Sequence, residues 1–253
     1  MTRKSETSCL CMIPAKAASK RLEKKNLLPL GGIPLVAHAI LKAKALELID
    51  HVCVSTESPE IAEIAERYGV AVPFLRPPNL SVDPTSVVDV CLHAISEYER
   101  DERIFDILVI LHPSAPFVTM SDICEAFALF ESRRATSLIS VSEMTDTPFN
   151  AQVLLDDGYT LAPAFPESEF KFKKSTECPK SFKSNGAVCI ASIPWLKETK
   201  SLYAGSPHAF VMAKEKSVDI DTSLDYEWAQ YLLDKELVKL DSVCVQAEAV
   251  KQA

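Results

Sequence analysis

The chain has 253 residues, 47% of them hydrophobic, and a net charge of −8 at pH 7. That length supports one substantial core and is too short for two comfortable domains. The acidic balance argues against a nucleic-acid or membrane-surface role, because phosphate backbones demand a basic face larger than one loop.

Residues 9–13 form a short apolar run that reads as a buried strand. It breaks at Pro14 into a loop carrying Lys16, Lys20, Arg21, Lys24 and Lys25, with Glu23 as its only acid. Ligands of open α/β sheets sit beyond the carboxyl ends of strands, so this loop is placed to hold a small anion. Ala15, Ala17, Ala18 and Ser19 are small enough to let backbone N–H groups approach it. A turn-rich connection at 28–34 leads to a helix over 35–46, with Pro34 suited to its first turn. Residues 51–55 read as a second strand. Ser58 then caps a helix with Pro59 first and Gly69 as its stop, and 70–74 reads as a third strand. This alternation implies a parallel sheet with right-handed crossovers.

Residues 75–84 form an irregular loop, and 85–100 a helix capped by Thr85 or Ser86. The wholly apolar run 107–111 is the pattern of a central strand covered on both faces. A helix capped by Ser121 reaches residue 132, and 137–141 is a strand. From 146 to 184 the rhythm changes: a hairpin of 152–155 and 159–161 turns at Asp157-Gly158, followed by a lysine-rich stretch, 171–183, without helical period. This excursion reads as an inserted lid or dimer arm. Strand 185–191, a short helix near Trp195, strand 209–213 and a helix over 223–237 complete one domain, 1–245. The ends, 1–8 and about 245–253, have the composition of frayed termini, with 246–253 as a tail.

Eight cysteines occur without Cys-x-x-Cys or zinc spacing, and most of them read as core residues of a reducing cytosol. No apolar run reaches the roughly 18 residues of a bilayer span, and the polar start lacks a signal-peptide core, so a cytoplasmic protein without membrane partners is expected. With only six glycines there is no Walker loop, no Gly-x-Gly-x-x-Gly fingerprint and no Gly-x-Ser-x-Gly elbow. The five histidines share no metal spacing, and His38, His51 and His93 fall inside element patterns, where packing explains them. The acidic counterpart of the basic loop is Asp219-Ile-Asp221. On extended chain, residues two apart face the same way, so both carboxylates can offer hard oxygen ligands to Mg²⁺. Asp225 is explained by capping of the next helix.

Taken together, Ile-Pro-Ala-Lys-Ala-Ala-Ser-Lys-Arg-Leu-Glu-Lys-Lys-Asn (13–26), Val-Ser-Thr-Glu (54–57), Pro-Phe-Leu-Arg-Pro (73–77), Leu-His-Pro-Ser-Ala-Pro (111–116), Ser-Asn-Gly-Ala-Val (184–188) and Val-Asp-Ile-Asp-Thr-Ser-Leu-Asp (218–225) resemble, in order, the acylneuraminate cytidylyltransferases. The resemblance implies a Rossmann-like α/β nucleotidyltransferase fold with a mostly parallel central sheet and a β-rich dimerisation arm, usually a homodimer. It implies coupling of CTP to a nonulosonic acid, giving CMP-sugar and pyrophosphate. Carried over by position, Lys16, Ser19, Lys20 and Lys25 line the triphosphate, and Ala15, Asn26, Arg76, Thr85 and His112 belong to the nucleotide site. Asp219 and Asp221 hold Mg²⁺, and Asn185 lies near the sugar. The catalytic set is then Lys16, Lys25, Asp219 and Asp221. Lys16-Ala17-Ala18 stands where the family usually has Arg and small residues, often glycines; His112 replaces a Gln, with charge expected to vary near neutral pH, and Val118 replaces an Arg. Two other readings stay open: activation of another sugar acid such as a 3-deoxy-octulosonate, and a nucleotide-binding relative with little turnover.

Overall fold

The computed structural model describes residues 7–82 and 84–252, the side chains of 248–252 excepted. The expectation of a frayed start therefore lies, for residues 1–6, outside the described residues. In chain order the elements are β1 (Cys9–Pro14), the two-residue strands β2 (Pro29–Leu30) and β3 (Ile33–Pro34), α1 (Leu35–Ala45), β4 (His51–Ser55), α2 (Pro59–Arg67), α3 (Val87–Arg100), β5 (Ile107–Leu111), α4 (Met120–Ser132) and β6 (Ser137–Glu143). They continue as β7 (Gln152–Leu154), β8 (Leu161–Pro163), β9 (Phe182–Ser192), α5 (Ile193–Thr199), β10 (His208–Val211), α6 (Ser223–Asp234) and α7 (Ser242–Gln252).

A six-stranded sheet runs in the order β10-β6-β9-β5-β1-β4. The pairs β1/β4, β1/β5 and β10/β6 are parallel, while β9 is antiparallel to both of its neighbours. β5 is buried along its whole length, as its unbroken apolar run requires. β1 shows the two-faced pattern directly. Cys9, Cys11 and Ile13 pack with α1, α2 and α4 on one side, and Leu10 and Met12 with α3 and α5 on the other. Two helical layers thus enclose the sheet, and the carboxyl ends of β1, β4 and β5 open at one edge.

Several local expectations are corrected. Residues 70–74 do not form a strand: Val70 enters the core, but Pro73 has no N–H to give a ladder, and β4 remains the sheet edge. The 28–34 connection is a small hairpin whose turn, Gly31-Gly32, has φ of 53° and 80°, as a two-residue turn with both φ positive demands. The cap of α4 is Thr119, whose hydroxyl accepts from Asp122 N–H while the Asp122 carboxylate returns to Thr119 N–H. In the excursion the hairpin closes on Leu161–Pro163, two residues later than the spacing suggests. The expected frayed tail is helical from Ser242: Cys244 is buried against Ile33 and Ala37, so the segment closes over the α1 side of the core.

Candidate active site

The site is assembled where β1, β4 and β5 end. β1 hands the chain to the basic loop, which folds back on itself through bonds that differ from those expected. Ala15 N–H donates to Ser55 O at 2.9 Å, Ala17 N–H to Glu57 Oε1 at 2.7 Å, and Ser19 N–H to Ala17 O at 2.9 Å. These three amides are engaged inside the protein, so the loop offers side-chain cations to an anion instead of a nest of those N–H groups. Ala15 itself is fully buried and acts as packing beneath the loop. Asn26, also buried, donates from Nδ2 to Lys16 O at 2.8 Å and fixes the loop's chord.

The loop's far end meets the segment before α6. Lys25 Nζ lies 2.7 Å from Asp221 Oδ1, and Arg21 Nη2 lies 2.6 Å from Asp221 Oδ2. The segment's geometry follows from alternation: Ile220 is fully buried and its N–H donates to Ser114 O at 2.8 Å, so its neighbours Asp219 and Asp221 turn outward. Asp225 anchors the turn by accepting from Asp221 N–H at 3.1 Å and from Thr222 N–H at 2.7 Å as part of a capping box. Burial pushes its carboxyl up, but the Thr222 and Asp221 hydrogen bonds outweigh this and hold it below its usual range.

From β4 comes Glu57, which joins two parts of the site. One oxygen accepts from Ala17 N–H, and the other accepts from Arg76 Nη2 at 2.6 Å. Arg76 is 4% exposed and its Nε donates to Ser81 Oγ at 3.1 Å. Thr85 donates its hydroxyl to Val82 O at 2.6 Å, which shapes the same wall. At the end of β5, His112 Nδ1 is 2.8 Å from Gly186 O. A carbonyl can only accept, so Nδ1 carries the proton and Nε2 is the acceptor of the neutral ring. Burial, the largest effect, pushes the His112 pKa below its ordinary value and so favours the neutral ring. A Cβ on Gly186, whose φ is +66°, would lie 3.7 Å from Asp219 Oδ2 and 3.9 Å from His112 Nδ1. Asp219 and His112 therefore face the same short piece of β9.

Two clefts result. One, of about 500 Å³, is lined by Lys16, Ser19, Lys20, Arg21, Lys25, Asn26, Arg76, Thr85, His112 and Asp221. Among the described residues five cations face one carboxylate there, an arrangement suited to a polyanion. The second, of about 530 Å³, is lined by Asn185, Lys183, Lys214, Asp219, Asp225 and Trp228 together with hydroxyl and acidic side chains from 142–146. Asp221 belongs to the first and Asp219 to the second, so the aspartate pair marks their junction. Asn185 is saturated: Oδ1 accepts from Ser140 Oγ at 2.5 Å and Ala187 N–H at 3.2 Å, and Nδ2 donates to Ser217 Oγ at 2.8 Å. It braces the floor of the second cleft. Val118 is core.

The donor chemistry at the junction fits Mg²⁺. Two carboxylates and no soft ligand leave the remaining positions to phosphate oxygens and water. No cluster of three or more His, Cys, Asp or Glu suited to a metal occurs among the described residues. Arg21 and Glu57 join the site beyond the site residues expected from the sequence. Arg21 was one charge in a basic run, and the pairing of Glu57 with residues 40 and 19 positions away is visible only in the fold.

The cytidylyltransferase family model matches residues 10–223. Over 227 residues the chain is 30% identical to the CMP-N,N′-diacetyllegionaminic acid synthase of Legionella pneumophila, covering 89% of this chain and 96% of that one. Over 226 residues it is 30% identical to the pseudaminic acid cytidylyltransferase of Campylobacter jejuni, covering 88% and 95%. Against the N-acylneuraminate cytidylyltransferase of Escherichia coli it is 31% identical over 230 residues, 91% of this chain and 53% of that one. Among solved structures, a CMP:2-keto-3-deoxy-manno-octonic acid synthetase complexed with CTP superposes with a TM-score of 0.67 at 17% identity, covering 91% of this chain and 100% of that one; this likeness concerns the fold alone.

Proposed function

We infer the function from one premise: the chain belongs to the cytidylyltransferase family. It activates a nonulosonic acid of the sialic, legionaminic or pseudaminic type with CTP, giving the CMP-sugar and pyrophosphate. The observation that carries this reading is the ion pair of Lys25 with Asp221, formed across 196 residues at the meeting point of a cationic cleft and a second, mixed-charge cleft.

In our assignment the triphosphate lies in the first cleft among Lys16, Lys20, Arg21 and Lys25, and the sugar acid in the second. Arg21 and Asp221 are 68% and 34% exposed, so their ion pair is worth about 1 kcal/mol or less and is readily exchanged for phosphate contacts. The acceptor's anomeric hydroxyl attacks the α-phosphorus, the bond to the β-phosphate oxygen breaks, and pyrophosphate leaves. The protein's part is to hold the two reactants in line and to neutralise the growing charge on the leaving group. Lys16, Lys20 and Lys25 serve the second task, and we assign His112 Nε2, the acceptor nitrogen of a ring that lines the first cleft, as the group that takes the hydroxyl proton. Asp219 and Asp221 would hold Mg²⁺, which supplies Lewis-acid stabilisation of the phosphate oxygens when bound.

We further propose a homodimer formed through an arm at 146–184. Leu154, Tyr159 and Leu161 are exposed there on a separate two-stranded hairpin, which needs cover to be stable, and Phe172 is exposed farther along the same segment. A cytoplasmic location is supported by eight free cysteines, and no helix among the described residues is long and apolar enough to cross a membrane. The test is incubation with CTP, Mg²⁺ and a panel of nonulosonic acids and the 3-deoxy-octulosonate. Pyrophosphate release with at least one nonulosonic acid is expected, from a protein that sediments as a dimer. No release with any acid contradicts the assignment and leaves a nucleotide-binding relative without turnover.

A further inference from the structure

We propose that Trp228 is a specificity-determining residue that reads the acyl substituents of the acceptor, an inference that rests on the sugar-acid reading of the second cleft. That cleft is otherwise walled mainly by lysines, carboxylates and hydroxyls, yet it includes one large aromatic side chain, half exposed on α6. An indole left half in water is costly unless something apolar covers it, and here it borders the space assigned to the acceptor.

Its presentation is fixed in advance. Trp228 stacks on Tyr231 with ring centroids 5.4 Å apart and planes inclined by 14°, and Lys235 Nζ sits 6.0 Å from the Tyr231 ring centroid. Such bracing lowers the entropy lost when a ligand covers the ring. The helix sets the indole's position relative to the reacting end. Trp228 is five residues beyond Ser223, the first residue of α6, hence roughly 7 Å along the axis from the helix start that follows Asp221. An acid whose anomeric carbon lies at the aspartate pair therefore brings a distant part of its skeleton to Trp228. A polyhydroxylated skeleton leaves the indole wet, whereas a methyl of an acylamino group covers it. Lys183 and Lys214 line the same cleft and complement the acid's carboxylate.

The probes are N-acetylneuraminic acid and its deaminated analogue, in which a hydroxyl replaces the acetamido group. The chain has two tryptophans, and Trp195 packs against the core, so intrinsic emission reports on Trp228 independently of turnover. With CDP and Mg²⁺ present, the acetylated acid is expected to shift the emission and the analogue to leave it nearly unchanged, and W228F abolishes the response. In turnover, W228A raises KM for the acetylated acid by about tenfold, with kcat and the analogue's KM each changed by less than about twofold. W228F recovers most of the selectivity. Equal losses for both acids, a loss confined to kcat, or equal emission responses overturn the proposal. Absence of turnover with a selective emission response instead sinks the enzymatic reading and upholds this one.

Discussion

Asp221→Ala lowers kcat/KM by about a thousandfold or more and leaves the fold in place. Among the described residues lining the cationic cleft the carboxylate alone opposes its positive charge, and it is also half of the proposed metal pair. Its loss leaves Arg21, 68% exposed, to water, and deprives Lys25, 14% exposed, of one partner. The stability cost is about 1 kcal/mol, a drop of about 2–4 °C in Tm. Binding separates this account from a general loss of structure. Without metal, the variant binds CTP at least as tightly as the parent, because a negative charge has left the triphosphate cleft and two cations are released to it. Isothermal titration with and without Mg²⁺ measures this. An unchanged rate, or weaker metal-free binding, contradicts the role given to Asp221.

Glu57→Gln strikes the other side of the nucleotide cleft. Glu57 accepts from Ala17 N–H and from Arg76, whose side chain is 3% exposed. The amide keeps one acceptor and presents a donor to the guanidinium, which leaves a buried charge without its partner. The loss is about 3 kcal/mol, or about 6–12 °C in Tm. KM for CTP rises by about tenfold or more, because the loop carrying Lys16 and Ser19 is untied. The pH dependence has a definite sign. Burial raises the Glu57 pKa, but hydrogen bonds from Arg76 and Ala17 outweigh it, so the folded-state value lies below the ordinary 4.5. The unfolded chain therefore binds the proton more readily, and the stabilisation is complete above 4.5 and lost as pH falls through the lower folded value. Tm measured from pH 7 downward should fall less steeply in the variant below that point. Parallel profiles contradict the linkage.

Much of this architecture was legible because it rests on local patterns. The run Ile107–Leu111 admits little but a central strand, and Ser58-Pro59 marks a helix start on its own. Asp219-Ile-Asp221 could be read as two outward carboxylates about an inward isoleucine, and Ile220 is fully buried. What failed depended on partners far along the chain. The alternation at 70–74 resembles a strand, but a strand exists only with a neighbour, and β4 has none on that side. The small residues after β1 suggest an amide nest, whereas Ser55 and Glu57 occupy the Ala15 and Ala17 amides. Residues 245–252 carry little apolar signal, and their helix is held by Cys244 and Val243 packing beneath α1. Arg21 could not be told from its basic neighbours without Asp221 beside it.

In the proposed arrangement one nucleotide is gripped between the basic loop and the aspartate pair. A crystal structure with CTP and Mn²⁺ in place of Mg²⁺ tests it most directly, the metal being located by its anomalous signal. The expected density places the triphosphate against Lys16, Lys20 and Lys25, with the metal on Asp219 and Asp221. A nucleotide bound elsewhere, or Lys25 still paired with Asp221 and touching no phosphate, would contradict it.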